Sequence, residues 1–96
     1  MRTRKNIHYF TPEGKNTDLM IDSLKSHIKN TDCNYMTLDI SSLNLLDASK
    51  IAVECSTNHY LKYPQGLVDC IVKTNKVKNL IKDLILGNMK FLTIQN

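Results

Sequence analysis

In the stretch Tyr35–Lys50, YMTLDISSLNLLDASK, the pattern of the chain changes from that of a strand to that of a helix within a few residues. Met36, Leu38 and Ile40 alternate with Thr37, Asp39 and Ser41, the period-two pattern of a strand with one buried face. Leu43, Leu45 and Leu46 then carry the chain over the sheet edge. Asp47 or Ser49 offers a side-chain oxygen to the free backbone N–H groups of a new helix. A carboxylate and a hydroxyl are thereby expected beyond the carboxyl end of a strand, where open α/β sheets usually bind ligands and partners.

The same alternation recurs along the chain. Ile7–Phe10 reads as a short strand, and Thr11-Pro12-Glu13-Gly14 as a turn. The spacing of Met20, Ile21, Leu24 and Ile28 predicts a first helix over Thr17–Lys29, with Asp18 and Asp22 early and Lys25, His27 and Lys29 late, as the helix dipole favours. A second helix is expected over Ala48–Lys62, with Ala48, Ile51, Ala52, Cys55 and His59 on one stripe, and Tyr63-Pro64-Gln65-Gly66 ends it. Leu67–Val72, LVDCIV, is nearly continuous in apolar residues and suits a strand buried on both faces. Thr74 or Asn75 caps a third helix with a core stripe of Val77, Leu80, Ile81, Leu84 and Ile85. Gly87-Asn88 stops it, and Met89–Ile94 is the last strand. The order β-α-β-α-β-α-β predicts an α/β fold with a mostly parallel four-stranded sheet and right-handed crossovers. The polar side of Met36–Ile40 implies a sheet not thickly covered on both faces.

Length fits a single domain over residues 1–96, with residues 1–6, MRTRKN, expected as a flexible basic tail. The N-terminus shows no apolar core behind its charges, so no signal peptide is read, and no apolar run reaches membrane-spanning length. Cys33, Cys55 and Cys70 are odd in number and widely spaced, which argues against a disulfide scaffold or zinc ribbon and for a cytoplasmic location. The net charge of +4 invites a nucleic-acid reading, but base-edge readout and phosphate clamping favour arginine, and the chain has only Arg2 and Arg4. Nucleic acid is discounted accordingly.

The strand carboxyl ends should gather Thr11–Asn16, Ser41–Lys50 and Lys73–Lys76, bringing Ser49, Asp47, Lys50, Lys73 and Lys76 to one edge able to receive negative charge. Against this stands the plain reading of Ser49 and Asp47 as helix caps. The Gly14-Lys15 pair lacks the leading glycine and spacing of a phosphate-binding loop. Cys55 and His59, four apart on one helix face, have the residue types of a thiolate–imidazole pair but no third group, and a buried cysteine is usually a small hydrophobe. His8, His27 and His59 lie on different elements without ligand spacing, so no metal and no cofactor are expected. His59, Tyr60, Lys62 and Tyr63 form an aromatic, basic patch, read as helix-end packing rather than a base-stacking surface.

The run LDISSLNLLDAS resembles the core signature of STAS domains, the anti-sigma-factor antagonists and their relatives. That signature is a strand ending Leu-Asp-hydrophobic-Ser, a hydrophobic connection, then Asp-Ser-Ser/Thr-Gly opening a helix. Asp39 falls on the strand aspartate, Asp47 on the aspartate of the turn, and Ser49 on the hydroxyl that the resemblance implies is phosphorylated. Ala48 stands in place of the first hydroxyl and Lys50 in place of the glycine. The family fold has an additional strand before its first helix and usually a C-terminal helix, and this length does not hold both. A minimal STAS-like domain would leave an edge or part of a face for a partner, or a second copy in a homodimer, to cover. The resemblance implies a non-enzymatic regulatory module whose protein partner, of kinase-like or sigma-regulatory type, docks on Asp39, Asp47, Ser49 and Lys50. The competing class is a nucleic-acid or phosphate-ligand module using Lys73, Lys76, Lys78 and Lys82.

Overall fold

The computed structural model describes residues 8–95. The expectations placed on residues 1–6 and on Ile7 lie outside the described residues. Seven elements alternate: β1 (His8–Phe10), α1 (Thr17–Asn30), β2 (Tyr35–Asp39), α2 (Leu45–Lys62), β3 (Leu67–Val72), α3 (Asn75–Ile81) and β4 (Met89–Thr93). The four strands form one sheet in the order β1-β2-β3-β4, and every neighbouring pair is parallel. The expected α/β architecture is therefore present, with β2 and β3 in the interior of the sheet.

Register and burial show where the helices lie. Met36 pairs with Val68, which pairs with Met89, and Phe10, Leu38, Cys70 and Phe91 form the next row. These residues and Val72 pack with Met20, Leu24 and Ile28 of α1, Ile51, Ala52 and Cys55 of α2 and Ile81 of α3 into one core. The alternate rows contain no buried residue: Tyr35 with Leu67, then Tyr9, Thr37, Asp69 and Lys90, then Asp39, Ile71 and Leu92. All three helices thus cover one face, and no helix or strand among the described residues covers the other. Strands that advance steadily in one direction with every crossover on one face share one handedness, and the twist of L-peptide strands makes it right-handed.

This corrects the reading of β3 as a strand buried on both faces. Val68, Cys70 and Val72 are fully enclosed, whereas Leu67, Asp69 and Ile71 are only half-buried. The apolar run LVDCIV reflects an interior strand, and Asp69 marks the side that no helix reaches.

Two helix boundaries also differ from expectation. The first is α2, which begins at Leu45, because Asn44 adopts extended backbone and its side chain accepts from the Asp47 N–H. The second is α3, which ends at Ile81, leaving Leu80 and Leu84 exposed rather than in the core. The Leu84 N–H bonds to the Ile81 carbonyl at 2.8 Å, a tighter turn than the helix, and the Leu86 N–H bonds to Ser56 Oγ at 3.0 Å. Docking of this connection on α2 diverts the chain before the apolar stripe is complete. Between β1 and α1, Gly14 has φ 123°, a left-handed conformation that a side chain would strain.

Candidate functional site

The start of α2 is held by a small polar network. Asn44 Oδ1 accepts from the Asp47 N–H at 2.9 Å, and Asn44 Nδ2 donates to Asp47 Oδ2 at 3.2 Å. Asp47 Oδ1 accepts from the Thr17 hydroxyl at 2.7 Å, so one carboxylate joins the first turns of α1 and α2. Asn44, rather than Asp47 or Ser49, is the N-cap. Asn44 and Asp47 have the three-residue spacing of a capping box, but Asp47 accepts from the Asn44 side-chain amide instead of its backbone N–H. Ser49 is the fifth helical residue, and its hydroxyl donates to the Leu45 carbonyl at 2.8 Å. A serine bonded back to the preceding turn supplies no oxygen to the helix N–H groups.

Ser49 and Lys50 line a groove of about 450 Å³ between α1 and α2, together with Asp18, Ile21, Val53 and Glu54. Ile21 and Val53 give it an apolar floor, and Lys25 of α1 lies 3.7 Å from Glu54 across it. Leu45 and Leu46, immediately before Asp47, are 45% and 64% exposed. Lys73 and Lys76 are exposed beside the start of α3 and share no hydrogen bond or ion pair with this network among the described residues. Because the strands are parallel, the segments that follow β1, β2 and β3 leave from the same end of the sheet, as the sequence suggests, and the groove described here is lined from α1 and α2.

Asp39 lies on the face of the sheet away from the helices. Its Oδ1 accepts from the Ser41 N–H at 3.0 Å and the Ser41 hydroxyl at 2.6 Å, and its Oδ2 accepts from the Tyr9 hydroxyl at 3.1 Å. Partial burial pushes its pKa up, but the bonds from Ser41 and Tyr9 outweigh that and hold it below the usual value. Asp39 therefore fixes the loop between β2 and α2 as an ionised carboxylate.

At the opposite end of the sheet, His59 is enclosed, with Nε2 at 2.7 Å from the Cys33 carbonyl. The carbonyl can only accept, so Nε2 carries the proton. Burial pushes the His59 pKa down, against the opposing bond to Cys33. The Tyr63 hydroxyl accepts from the Cys33 N–H at 2.9 Å and donates to the Thr31 carbonyl at 3.1 Å. Lys62 Nζ donates to the carbonyls of Ile28, Lys29 and Thr31 at 2.6–3.0 Å, satisfying the end of α1 with a cation where the helix dipole is negative. His59, Lys62 and Tyr63 are thus helix-end packing, as the sequence reading preferred, while Tyr60 is exposed. Gly66 fits against them because a Cβ there would sit 2.6 Å from the Asn34 carbonyl and 2.7 Å from His59 Cε1.

Cys55 does not complete a thiolate–imidazole site. It is fully enclosed, and burial pushes its thiol well up, as it pushes the Cys70 thiol to about 12. Among the described residues no three His, Cys, Asp or Glu side chains cluster with metal-binding geometry. Sequence reasoning missed one feature besides Asn44: a buried pairing of Ser56 with Asn88. The Ser56 hydroxyl donates to Asn88 Oδ1 at 2.7 Å, and Asn88 Nδ2 donates to the Ser56 carbonyl at 3.0 Å. Nothing in the spacing of two polar residues this far apart announces such a contact.

The fold and these contacts define a small all-parallel α/β protein with its helices on one face and a polar helix-start edge. No family model, no curated protein and no solved structure matches the chain. No helix among the described residues is long and apolar enough to cross a membrane.

Proposed function

We propose that this chain is a non-enzymatic regulatory module of the cytosol that binds a protein partner through the helix-start edge around Asp47–Lys50. The observation that carries this reading is the groove between α1 and α2. Ser49 and Lys50 open onto it with the apolar Ile21 and Val53, and Leu45 and Leu46 stand exposed in the first turn of the same helix. Exposed leucines on a helix that borders an open groove fit the anchors of a protein interface. The Thr17–Asp47–Asn44 bonds hold that edge rigid, and the Ser41–Asp39–Tyr9 bonds hold the loop leading to it. The resemblance of LDISSLNLLDAS to the STAS signature supports a kinase-like or sigma-regulatory partner. Three free, buried cysteines agree with a reducing compartment.

Phosphorylation of Ser49 serves as a switch in this reading. A phosphate would add nearly two negative charges beside Asp18 and Glu54, repelling an acidic partner and attracting a basic one. The test is affinity capture from the source cells on wild-type, Leu46→Asp, Ser49→Asp and Leu80→Asp baits, with mass spectrometry of partners and of the Ser49 peptide. A partner lost with Leu46→Asp and altered with Ser49→Asp, but kept by Leu80→Asp, supports the edge. Partners indifferent to both edge variants sink it.

Lysines around α3 favour a second reading, binding of nucleic acid or a phosphate-bearing ligand. Lys73, Lys76 and Lys82 are exposed, Lys78 is half-buried, and the first turn of α3 has no acidic residue. Such binding would weaken steeply with salt through counterion release. Removal of all four lysines should abolish it.

A further inference from the structure

Between β3 and β4 the chain gathers its cations beside exposed leucines. From Lys73 to Leu86 four lysines stand against one carboxylate, Asp83, whereas residues 8–72 carry five lysines and eight carboxylates. Leu80 is 47% exposed, Leu84 55% and Leu86 43%, and Lys73, Lys76 and Lys82 are exposed with them. Ile81 is enclosed and Val77 and Ile85 pack on the core, so the segment already has an inner apolar side. Lys76 and Leu80, four apart in α3, share the outer side. The turn closed by the Leu84 N–H on the Ile81 carbonyl follows at once and presents Lys82 and Leu84 to solvent. Single exposed leucines are ordinary, but leucines clustered among lysines make a surface that is apolar and cationic together.

Each class of occupant uses a different part of that surface. Nucleic acid takes up the lysines and leaves the leucines in water. A protein anchor fills a pocket, but these leucines stand out from a short helix and a turn. They line neither the groove between α1 and α2 nor the one at Tyr60, Gly66 and Asn88. A bilayer with anionic headgroups uses both parts. Its acyl boundary receives the leucines, and the long lysine stems reach back so that the ammonium groups stay among the headgroups.

We propose that this flank docks on an anionic lipid surface, with Leu80, Leu84 and Leu86 at the acyl boundary and Lys73, Lys76 and Lys82 among the headgroups. The contact is peripheral, because three partly exposed leucines reach only the outer part of a leaflet. Each lysine close to such a surface strengthens binding about fivefold, and Asp83 takes back part of that gain. Half-binding is expected on the order of 0.1–1 mM accessible lipid, a reversible association. This flank is separate from the Asp47–Lys50 edge, so lipid docking and partner capture succeed or fail independently.

Flotation of the full chain with vesicles of phosphatidylcholine containing about 30% phosphatidylserine, in about 0.1 M salt, tests the proposal. The wild type should float with these vesicles and not with phosphatidylcholine alone, and added salt should weaken the association. Leu80→Ser with Leu84→Ser removes apolar surface at unchanged charge and should weaken it about tenfold. Lys76→Gln with Lys82→Gln should weaken it about twentyfold. All four positions are exposed, so thermal melts should not move. Lys15→Gln with Lys29→Gln makes the same charge change at exposed positions elsewhere and should leave flotation within about twofold. A wild type that floats with neither vesicle overturns the proposal. So does binding that the Lys15 and Lys29 pair weakens as much as the Lys76 and Lys82 pair, because net charge alone then explains it. Indifference to the leucine pair, with tight capture of a short DNA duplex by the same lysines, assigns the flank to nucleic acid instead.

Discussion

Replacing Ser56 with alanine should expose how much of the sheet's last strand depends on one hydroxyl. Ser56 Oγ donates to Asn88 Oδ1 and accepts from the Leu86 N–H, and both Ser56 and Asn88 are buried. Ser56→Ala leaves the buried Asn88 oxygen without a donor, at a cost of roughly 1–3 kcal/mol. The Leu86 N–H can turn to water because its residue is exposed, so it adds only about 0.5–1 kcal/mol. A loss of about 1.5–4 kcal/mol follows. For a domain of this size, each kcal/mol lowers the melting temperature by about 4–8 °C, which places the fall near 6–32 °C. Asn88 immediately precedes β4, and its carbonyl accepts from the Val68 N–H at 2.9 Å. Ser56→Ala should therefore loosen the β3–β4 edge first, visible as lost amide-exchange protection at Phe91 before Leu38. Urea denaturation followed by circular dichroism, on Ser56→Ala, Asn88→Ala and the double variant, separates the pair from its parts. The two single costs should sum to about 1–2 kcal/mol more than the double, since each single variant strands the other partner. Additive costs, or a Ser56→Ala cost below about 0.5 kcal/mol, would refute the reasoning, because a surface hydroxyl behaves that way.

Gly66→Ala places a methyl group 2.6 Å from the Asn34 carbonyl and 2.8 Å from Tyr63 Cβ, and overpacking of this kind should cost about 1–3 kcal/mol. An unchanged melt would show that the α2–β3 turn is looser than this geometry. Ser49→Ala should alter stability by less than about 0.5 kcal/mol, because the hydroxyl bonds back within the helix, whereas Asn44→Ala should cost about 1 kcal/mol as the true cap. Reversed magnitudes in paired thermal melts would restore Ser49 as the cap. Burial lowers the pKa of both His59 and His27, so the unfolded chain takes up protons first as pH falls below about 6.5. Stability should be full above that pH and decline toward the lower folded pKa values, by at most about 1.4 kcal/mol per pH unit for each histidine. Urea midpoints that stay level or rise between pH 7.5 and 5, with an additional His59→Gln comparison, would contradict neutral, desolvated imidazoles.

Local pattern determined the order of elements in this protein. The alternation of Met36, Leu38 and Ile40 with Thr37 and Asp39 fixes a strand with one polar side, because the pleat sends successive side chains to opposite faces. The helical spacing of Met20, Leu24 and Ile28 fixes α1 in the same way, and strands alternating with helices leave parallel pairing as the short solution. Tertiary structure decided what depends on distant neighbours. LVDCIV cannot say whether its second side meets a helix or water, since an apolar run serves either case until the positions of all crossovers are known. Leu80 carries helical spacing but sits on the exposed side of α3, and Leu84 follows the end of that helix, where the chain turns toward the Leu86 and Asn88 bonds to Ser56. Ser49 carries the residue type of a cap, but Asn44 starts the helix one turn earlier and turns the serine into an ordinary surface position. The residue types of His59, Lys62 and Tyr63 suit helix-end packing, but the chain alone does not say what they pack against. Only the end of α1 and the connection that follows it supply the carbonyls that bind all three. Pairings across twenty-six to thirty-four residues leave no trace in local spacing, because loop closure, not periodicity, brings such groups together.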